Sequence, residues 1–307
     1  MTSRCNLDCI FCYNVWKTGD AGQPADLDTG EMIEVAGAVA DAGPVSVTLT
    51  GGEPLLRGDL EEIARYLGSR GIMVGIATNG TLLDPDRIES LIDSGVRWFE
   101  VPVHATRPDI AGDLVGRDCL DEVKNAILEV RKAGARLTVS HLMTSMNYGE
   151  TARAVRLAYA LGAEAMALNR FVPTGAGAGR PDLLPLPSQL DAALAGASEI
   201  SSMSPGIRVY TAIPVEDCLH PHVDFPGIEF GTCSCGVSKW AVSPRGDLRI
   251  CEQSPVILGN LLESSFREMT CSGVVTEFRA SSFHDECSEC RSWNSCGGGC
   301  RYLREYL

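Results

Sequence analysis

The chain has 307 residues, 45% of them hydrophobic, with a net charge of -14 and a pI near 4.8. That length supports one large domain or two unequal ones. The acidity argues against sequence-independent nucleic-acid binding, which needs clustered Lys and Arg. No apolar run reaches the length of a bilayer span, and the first residues do not read as a signal peptide, so a cytoplasmic, membrane-free protein is expected.

In chain order, β-branched runs alternate with helical stretches. Strands are predicted over residues 45–50, 72–77, 97–103, 136–142 and 164–169, and helices over 59–69, 84–94, 120–133 and 150–161. Repeated strand–helix units imply a parallel sheet with helices outside. The expected class is α/β, as a partial (β/α)6 TIM-like barrel with function at the C-terminal strand ends; a doubly wound sheet fits the same periodicity. Residues 173–187 are rich in Pro and Gly and read as a loop leaving the barrel, followed by a helix over 188–200. A strand over 207–213 and a hairpin over 239–251 then predict a smaller, cysteine-rich extension, with the chain after 284 reduced to short loops and cysteines. The boundary is placed so that residues 1–205 form the barrel and 206–307 the extension.

The thirteen cysteines gather at the two ends: three in residues 5–12, nine in 218–300, with Cys119 alone between, read as a small buried hydrophobe. In a reducing compartment such cysteines more often bind metal or do chemistry than form disulfides. Cys5, Cys9 and Cys12 lie in C-x3-C-x2-C, with Phe11 before the last thiol. Three thiolates on one loop can hold three irons of a [4Fe–4S] cube and leave the fourth open. The competing reading is a zinc knuckle, which needs a fourth ligand nearby in sequence.

A second motif, Thr50-Gly51-Gly52-Glu53-Pro54, follows the 45–50 strand. Paired glycines permit close backbone approach to a ligand, and Glu53 offers a carboxylate to an ammonium group; the plainer reading is a strand-end turn. Together the two motifs resemble the radical S-adenosylmethionine (SAM) superfamily. Because only four residues precede Cys5, the first strand of such a barrel is expected to be truncated. The resemblance implies a cluster on Cys5, Cys9 and Cys12, SAM chelated at the open iron, and a 5′-deoxyadenosyl radical that abstracts hydrogen from substrate. It further implies that Phe11, Gly51, Gly52, Glu53, Asn79 (in Thr78-Asn79-Gly80), His104 and Arg170 (in 169–175) line the cofactor site. The plainer readings are core packing for Phe11 and a hydrogen-bonded rim residue for His104.

The C-terminal cysteines, Cys287-x2-Cys290-x5-Cys296-x3-Cys300 with Cys233, Cys235 and Gly246-x4-Cys251 upstream, resemble the SPASM/twitch extension of many such enzymes, with zinc as the alternative metal. By that resemblance one auxiliary [4Fe–4S] cluster uses Cys235, Cys251 and Cys300 with Cys233 or Cys218 as fourth ligand. A second uses Cys287, Cys290 and Cys296, its fourth ligand left open: an open iron, a non-cysteine ligand, or one beyond the tail. Cys271 is a spare, read as structural. His220 and His222 read as surface loop residues, His141 as a core or substrate-facing histidine, and Asp109, Asp113 and Asp217 as acid–base candidates by position alone.

The implied function is oxidative modification or cross-linking of a peptide or protein side chain, as in peptide-modifying and sulfatase-maturating members. The implied partners are a flavodoxin- or ferredoxin-like electron donor and a separate leader-binding protein. The alternatives are the same chemistry on a sugar, nucleoside or tetrapyrrole, or a non-catalytic iron–sulfur electron carrier.

Overall fold

The computed structural model describes residues 1–15, 25–281, 287, 289–304 and 306. Seven strands form one sheet: β1 (Ser46–Leu49), β2 (Met73–Ala77), β3 (Val96–Pro102), β4 (Arg136–Met143), β5 (Ala165–Arg170), β6 (Arg208–Thr211) and β7 (Ile228–Phe230). They pair in sequence order and every pair is parallel. A doubly wound sheet would reverse its order at a switch point; continuous winding in one direction is the order of a barrel wall. Helices α1 (Thr29–Asp41), α2 (Leu60–Ser69), α3 (Pro85–Asp93), α4 (Pro108–Val115), α5 (Leu120–Lys132), α6 (Thr151–Ala160) and α7 (Pro187–Met203) accompany the strands.

Alternation along the strands decides which face is which. Phe99 and Val101 of β3, Leu137 and Val139 of β4 and Met166 and Leu168 of β5 are buried in the main core with Leu60, Ile63, Ile88, Leu91 and Ile127 from the helices. Period two then sends Trp98, Glu100 and Tyr210 to the opposite, inner face, where polar groups are tolerated because the mouth is open.

One expectation changes. β6 and β7 belong to the parallel sheet, so the wall runs on to Phe230 and the boundary placed at 205 falls inside it. The alternation of 207–213 was visible, but its pairing partner was not. Before β1, where a truncated first strand is expected, the described residues hold no strand. Instead, residues 2–4 dock by backbone bonds, Gly52 N–H to the Thr2 carbonyl (2.6 Å) and Glu53 N–H to the Arg4 carbonyl (2.8 Å).

The hairpin is one half of a three-stranded antiparallel sheet of β8 (Ala241–Val242), β9 (Asp247–Arg249) and β10 (Ile257–Asn260). Short helices α8 (Phe266–Thr270), α9 (Gly273–Ala280) and α10 (Trp293–Cys296) follow. Of the stretch after 284, expected to be short loops, residues 285, 286, 288, 305 and 307 lie outside the described residues. Helix α1 joins the two sheets. Met32 and Ala36 face the main core, while Val35 packs with Leu248, Leu261 and Met269 of the second. Its start is set by a capping box, in which Asp28 accepts from the Glu31 N–H and Glu31 accepts from the Asp28 N–H.

Candidate functional site

The loop carrying Cys5, Cys9 and Cys12 is clamped from three sides. On one side, the Asp8 and Ile10 N–H groups donate to the carbonyls of Val115 (3.2 Å) and Leu114 (3.1 Å) at the end of α4. On the second, the Gly177 N–H donates to the Cys12 carbonyl (3.1 Å). Gly175, at φ +58°, lies so close that a Cβ there would stand 2.5 Å from the Tyr13 carbonyl carbon. On the third side lies the Gly-Gly-Glu loop. A Cβ on Gly52 would stand 2.0 Å from the Arg4 carbonyl oxygen, and one on Gly51 2.5 Å from that of Thr2. The glycines thus admit the chain entering the cysteine loop, where sequence reasoning had them admit a ligand.

Glu53 is likewise committed to the fold. It is fully buried and accepts from the Thr78 hydroxyl (2.7 Å), the Asn79 N–H (2.8 Å) and the Leu55 N–H (3.1 Å). Burial raises its pKa against these three bonds. Asn79 donates from its amide to Asn6 (2.8 Å), and Asn6 to the Thr81 hydroxyl (2.8 Å), tying the Thr-Asn-Gly turn to the cysteine loop. Asn14, which sequence reasoning missed, is 1% exposed and donates to the Gly51 carbonyl (2.9 Å). Its position two residues after Cys12 was the available signal.

Phe11 and His104 meet edge to face, with centroids 4.7 Å apart. His104 Nδ1 accepts from the Leu142 N–H (3.2 Å), and burial, with His141 adding to it, lowers its pKa to about 3. It is therefore a neutral ring at ordinary pH. His141 is a satisfied core histidine, its Nδ1 on the Val103 carbonyl (2.8 Å) and Nε2 facing the Thr151 hydroxyl (3.1 Å). Arg170 is committed to a buried pair with Glu216. His220 is no surface residue: it is buried and hydrogen-bonded to Asp191, while His222 stacks on Phe230. Asp109 is exposed and paired with Arg107, Asp113 is exposed, and Asp217 accepts from the His222 N–H and the Ser292 hydroxyl.

At the mouth, Lys239 donates to Glu252 at 2.7 Å. Lys239 is half-exposed at its side chain; removal from water opposes its charge, but the Glu252 carboxylate, its hydrogen bond and the nearby Cys235 and Cys251 sulfurs together outweigh that and hold the ammonium above its ordinary pKa. The same lysine lies within electrostatic reach of Cys235 and Cys251, and of Glu100 and Tyr210 from the inner wall. Tyr13, next to Cys12, is influenced by Glu252, Glu100 and Lys239. Burial raises the Glu100 carboxyl, opposed by a hydrogen bond from Ser140. A polar group thus spans from the N-terminal cysteine loop to the extension. Sequence reasoning missed Glu100 and Lys239, although Glu100 is an acidic residue inside a predicted strand.

None of the thirteen cysteines is joined in a disulfide. In the extension they fall into two groups. Cys233 hydrogen-bonds to Cys235 and Cys235 to Cys251. Burial raises Cys300 to about 11, and Cys233 lies within its electrostatic reach. The second group lines one small cavity: Cys218, Cys287, Cys290 and Cys296, beside Glu216 and Trp293. Of the two candidates for completing the first group, the structure therefore puts Cys233 there and Cys218 with the other. Cys119 is buried in the main core. Cys271, read as structural, is exposed and belongs to neither group. A set of soft thiolates drawn from several loops suits iron–sulfur clusters.

A profile of the radical SAM superfamily matches residues 1–158, and one of an iron–sulfur cluster-binding domain, SPASM, matches 233–294. The chain is 29% identical over 310 residues to a PqqA peptide cyclase of Methylocella silvestris, covering 98% of this chain and 81% of that protein. It is 31% identical over 283 residues to an AdoMet-dependent heme synthase of Methanosarcina barkeri, covering 88% and 80% respectively. The solved structure of Streptococcus suis SuiB bound to the precursor peptide SuiA superposes with a TM-score of 0.78 at 16% identity, over 98% of this chain and 70% of that one. No helix among the described residues is long and apolar enough to cross a membrane.

Proposed function

The chain belongs to the radical SAM superfamily, and from that premise we propose that this enzyme oxidatively modifies or cross-links a side chain of a peptide or protein. Cys5, Cys9 and Cys12 hold the SAM-binding [4Fe–4S] cluster. SAM lies against the 50–53 loop, Asn79 and the Phe11–His104 pair. When bound, cluster and SAM supply a 5′-deoxyadenosyl radical that removes hydrogen from the substrate.

The observation that carries the reading is the position of Lys239, Glu252, Glu100, Tyr13 and Tyr210. They form a polar set bounded by Cys12 on one side and by Cys235 and Cys251 on the other. A substrate held there sits between the radical source and an auxiliary redox centre. Loss of hydrogen at one side and of an electron at the other adds up to a net oxidation. Glu100, with its raised carboxyl pKa, is placed to take the accompanying proton. The Lys239–Glu252 pair orients polar groups of the substrate, and the loop closed by Gly175 limits water around Cys12. The peptide class is favoured because the relative named for a peptide substrate aligns over 98% of the chain, extension included. The heme synthase relative supports a second reading, the same chemistry on a tetrapyrrole.

The deciding assay is 5′-deoxyadenosine release by the anaerobically reconstituted, reduced enzyme with PqqA-type precursor peptide, with tetrapyrrole, and with neither. Peptide-stimulated release with loss of two hydrogens from the peptide supports the first reading. Stimulation by tetrapyrrole alone sinks it, and no release from any mixture removes the catalytic reading.

A further inference from the structure

The cavity lined by Cys218, Cys287, Cys290 and Cys296 contains one thiol that no motif accounts for. Cys218 comes from the segment after β6, about seventy residues upstream of the others. Two neighbours of Cys218 fix it opposite them. Glu216 accepts from the Cys300 N–H at 3.4 Å, and its carboxylate would lie 2.3 Å from a Cβ on Gly299. Asp217 accepts at 2.6 Å from the hydroxyl of Ser292, in the turn between Cys290 and Cys296. The segment is held from behind as well: His220 bonds Asp191 at 2.6 Å and His222 bonds the Val215 carbonyl at 2.8 Å. On the other wall, the Cys290 N–H donates to the Cys287 carbonyl (3.2 Å) and the Cys296 N–H to the Ser292 carbonyl (2.8 Å), folding three thiols into one compact turn.

We propose that Cys218 is the fourth ligand of a four-thiolate iron–sulfur site completed by Cys287, Cys290 and Cys296. The inference rests on the iron–sulfur reading above. It deepens that reading by closing the second auxiliary cluster with a thiolate from the barrel-side segment. A site ligated wholly by cysteine has no open iron, so it serves electron transfer and does not bind substrate. Because its ligands come from both the β6–β7 connection and the C-terminal turn, the cluster also pins the extension to the wall of the barrel.

The test is iron and acid-labile sulfide per full-length chain after anaerobic reconstitution, with Mössbauer and EPR spectra, for the native enzyme and for Cys218→Ala, Cys287→Ala, the double variant and Cys271→Ala. Cys218→Ala is expected to lose about four irons or to convert one cube to a three-iron form. Cys287→Ala should affect the same cluster, the double variant should lose no more than that one cluster, and Cys271→Ala should keep all its iron. Should a variant fold poorly, the native chain answers by alkylation mapping: Cys218 and Cys287 become reactive only after the metal is stripped, whereas Cys271 reacts throughout. Unchanged iron and spectra in Cys218→Ala, or alkylation of Cys218 in the loaded enzyme, overturns the assignment; so does zinc in place of iron. Failure here leaves the SAM cluster intact, because Cys218→Ala should still release 5′-deoxyadenosine without substrate, whereas failure of the broader reading abolishes that release in the native chain.

Discussion

Arg170 and Glu216 form a buried two-point ion pair, with Nη1 and Nη2 at 2.6 and 2.5 Å from the two carboxylate oxygens. Their side chains are 3% and 2% exposed. Arg170 ends β5 of the barrel wall, while Glu216 touches Gly299 and the Cys300 N–H and lines the Cys218 cavity. One pair thus connects the wall to both cysteine groups of the extension. Removing one partner strands a buried charge, which costs about 3–5 kcal/mol. Arg170→Met is therefore expected to lower the melting temperature of the reconstituted enzyme sharply and to loosen iron in the extension. The Arg170→Met/Glu216→Leu double variant should recover much of the loss. A double variant no more stable than the single one would show that the pair itself is not the source.

Gly52→Ala tests the clamp on the cysteine loop. The added methyl would stand 2.0 Å from the Arg4 carbonyl oxygen and 2.5 Å from its carbon, backbone atoms that move only with the chain. Residues 2–4 must then shift, and the bonds from the Gly52 and Glu53 N–H groups go with them. The variant is expected to lose about four irons per chain while keeping those of the extension. Full iron content with native SAM cleavage would show that the close approach is dispensable.

The strands and helices of the barrel were legible because alternation and 3.6-residue periodicity report burial of a face. The expected helix over 59–69 and strand over 136–142 lie within a residue or so of α2 and β4. Helix α1 escaped that reading although its Asp28–Glu31 capping box stood in the sequence. The helix is buried against two cores, so its apolar pattern is split between faces. The three-cysteine loop was legible from spacing, because its ligands are close in the chain. The partition of the nine later cysteines was not, because Cys218 reaches its group through space and spacing holds no information on that. Glu53 illustrates a further gap: sequence marks a carboxylate at a strand end but does not tell that three donors of the fold occupy it.

His141 gives a pH dependence with a definite sign. Burial lowers its pKa to about 4 from an ordinary 6.5, so the folded enzyme keeps the ring neutral where the unfolded chain has begun to bind a proton. Stability is then full above pH 6.5 and falls as pH drops from 6.5 toward 4, by roughly 3 kcal/mol at the acid end. His141→Gln removes this titration. Thermal melts of the two proteins between pH 7.5 and 5 should show a shallower decline for the variant, although its melting temperature at pH 7.5 is lower because the bonds to Val103 and Thr151 are weakened. Parallel declines would place the acid sensitivity elsewhere.

Lys239 separates substrate positioning from radical generation. It is bonded to Glu252 and lies near Cys235, Cys251 and Glu100, but it touches neither the cysteine loop nor the 50–53 loop by any hydrogen bond among the described residues. Lys239→Gln keeps a donor of similar reach and discards the charge. If the lysine orients substrate, the variant should release 5′-deoxyadenosine without substrate at the native rate. Product formed per 5′-deoxyadenosine should fall about tenfold or more, because a radical generated beside a misplaced substrate is quenched unproductively. Glu252→Gln should show the same uncoupling, and the double variant should be no worse than either single one, since the two side chains act as a unit. Equal loss of 5′-deoxyadenosine and product would instead tie the pair to the cofactor or to folding, and additive losses would mean that lysine and glutamate contact the substrate independently.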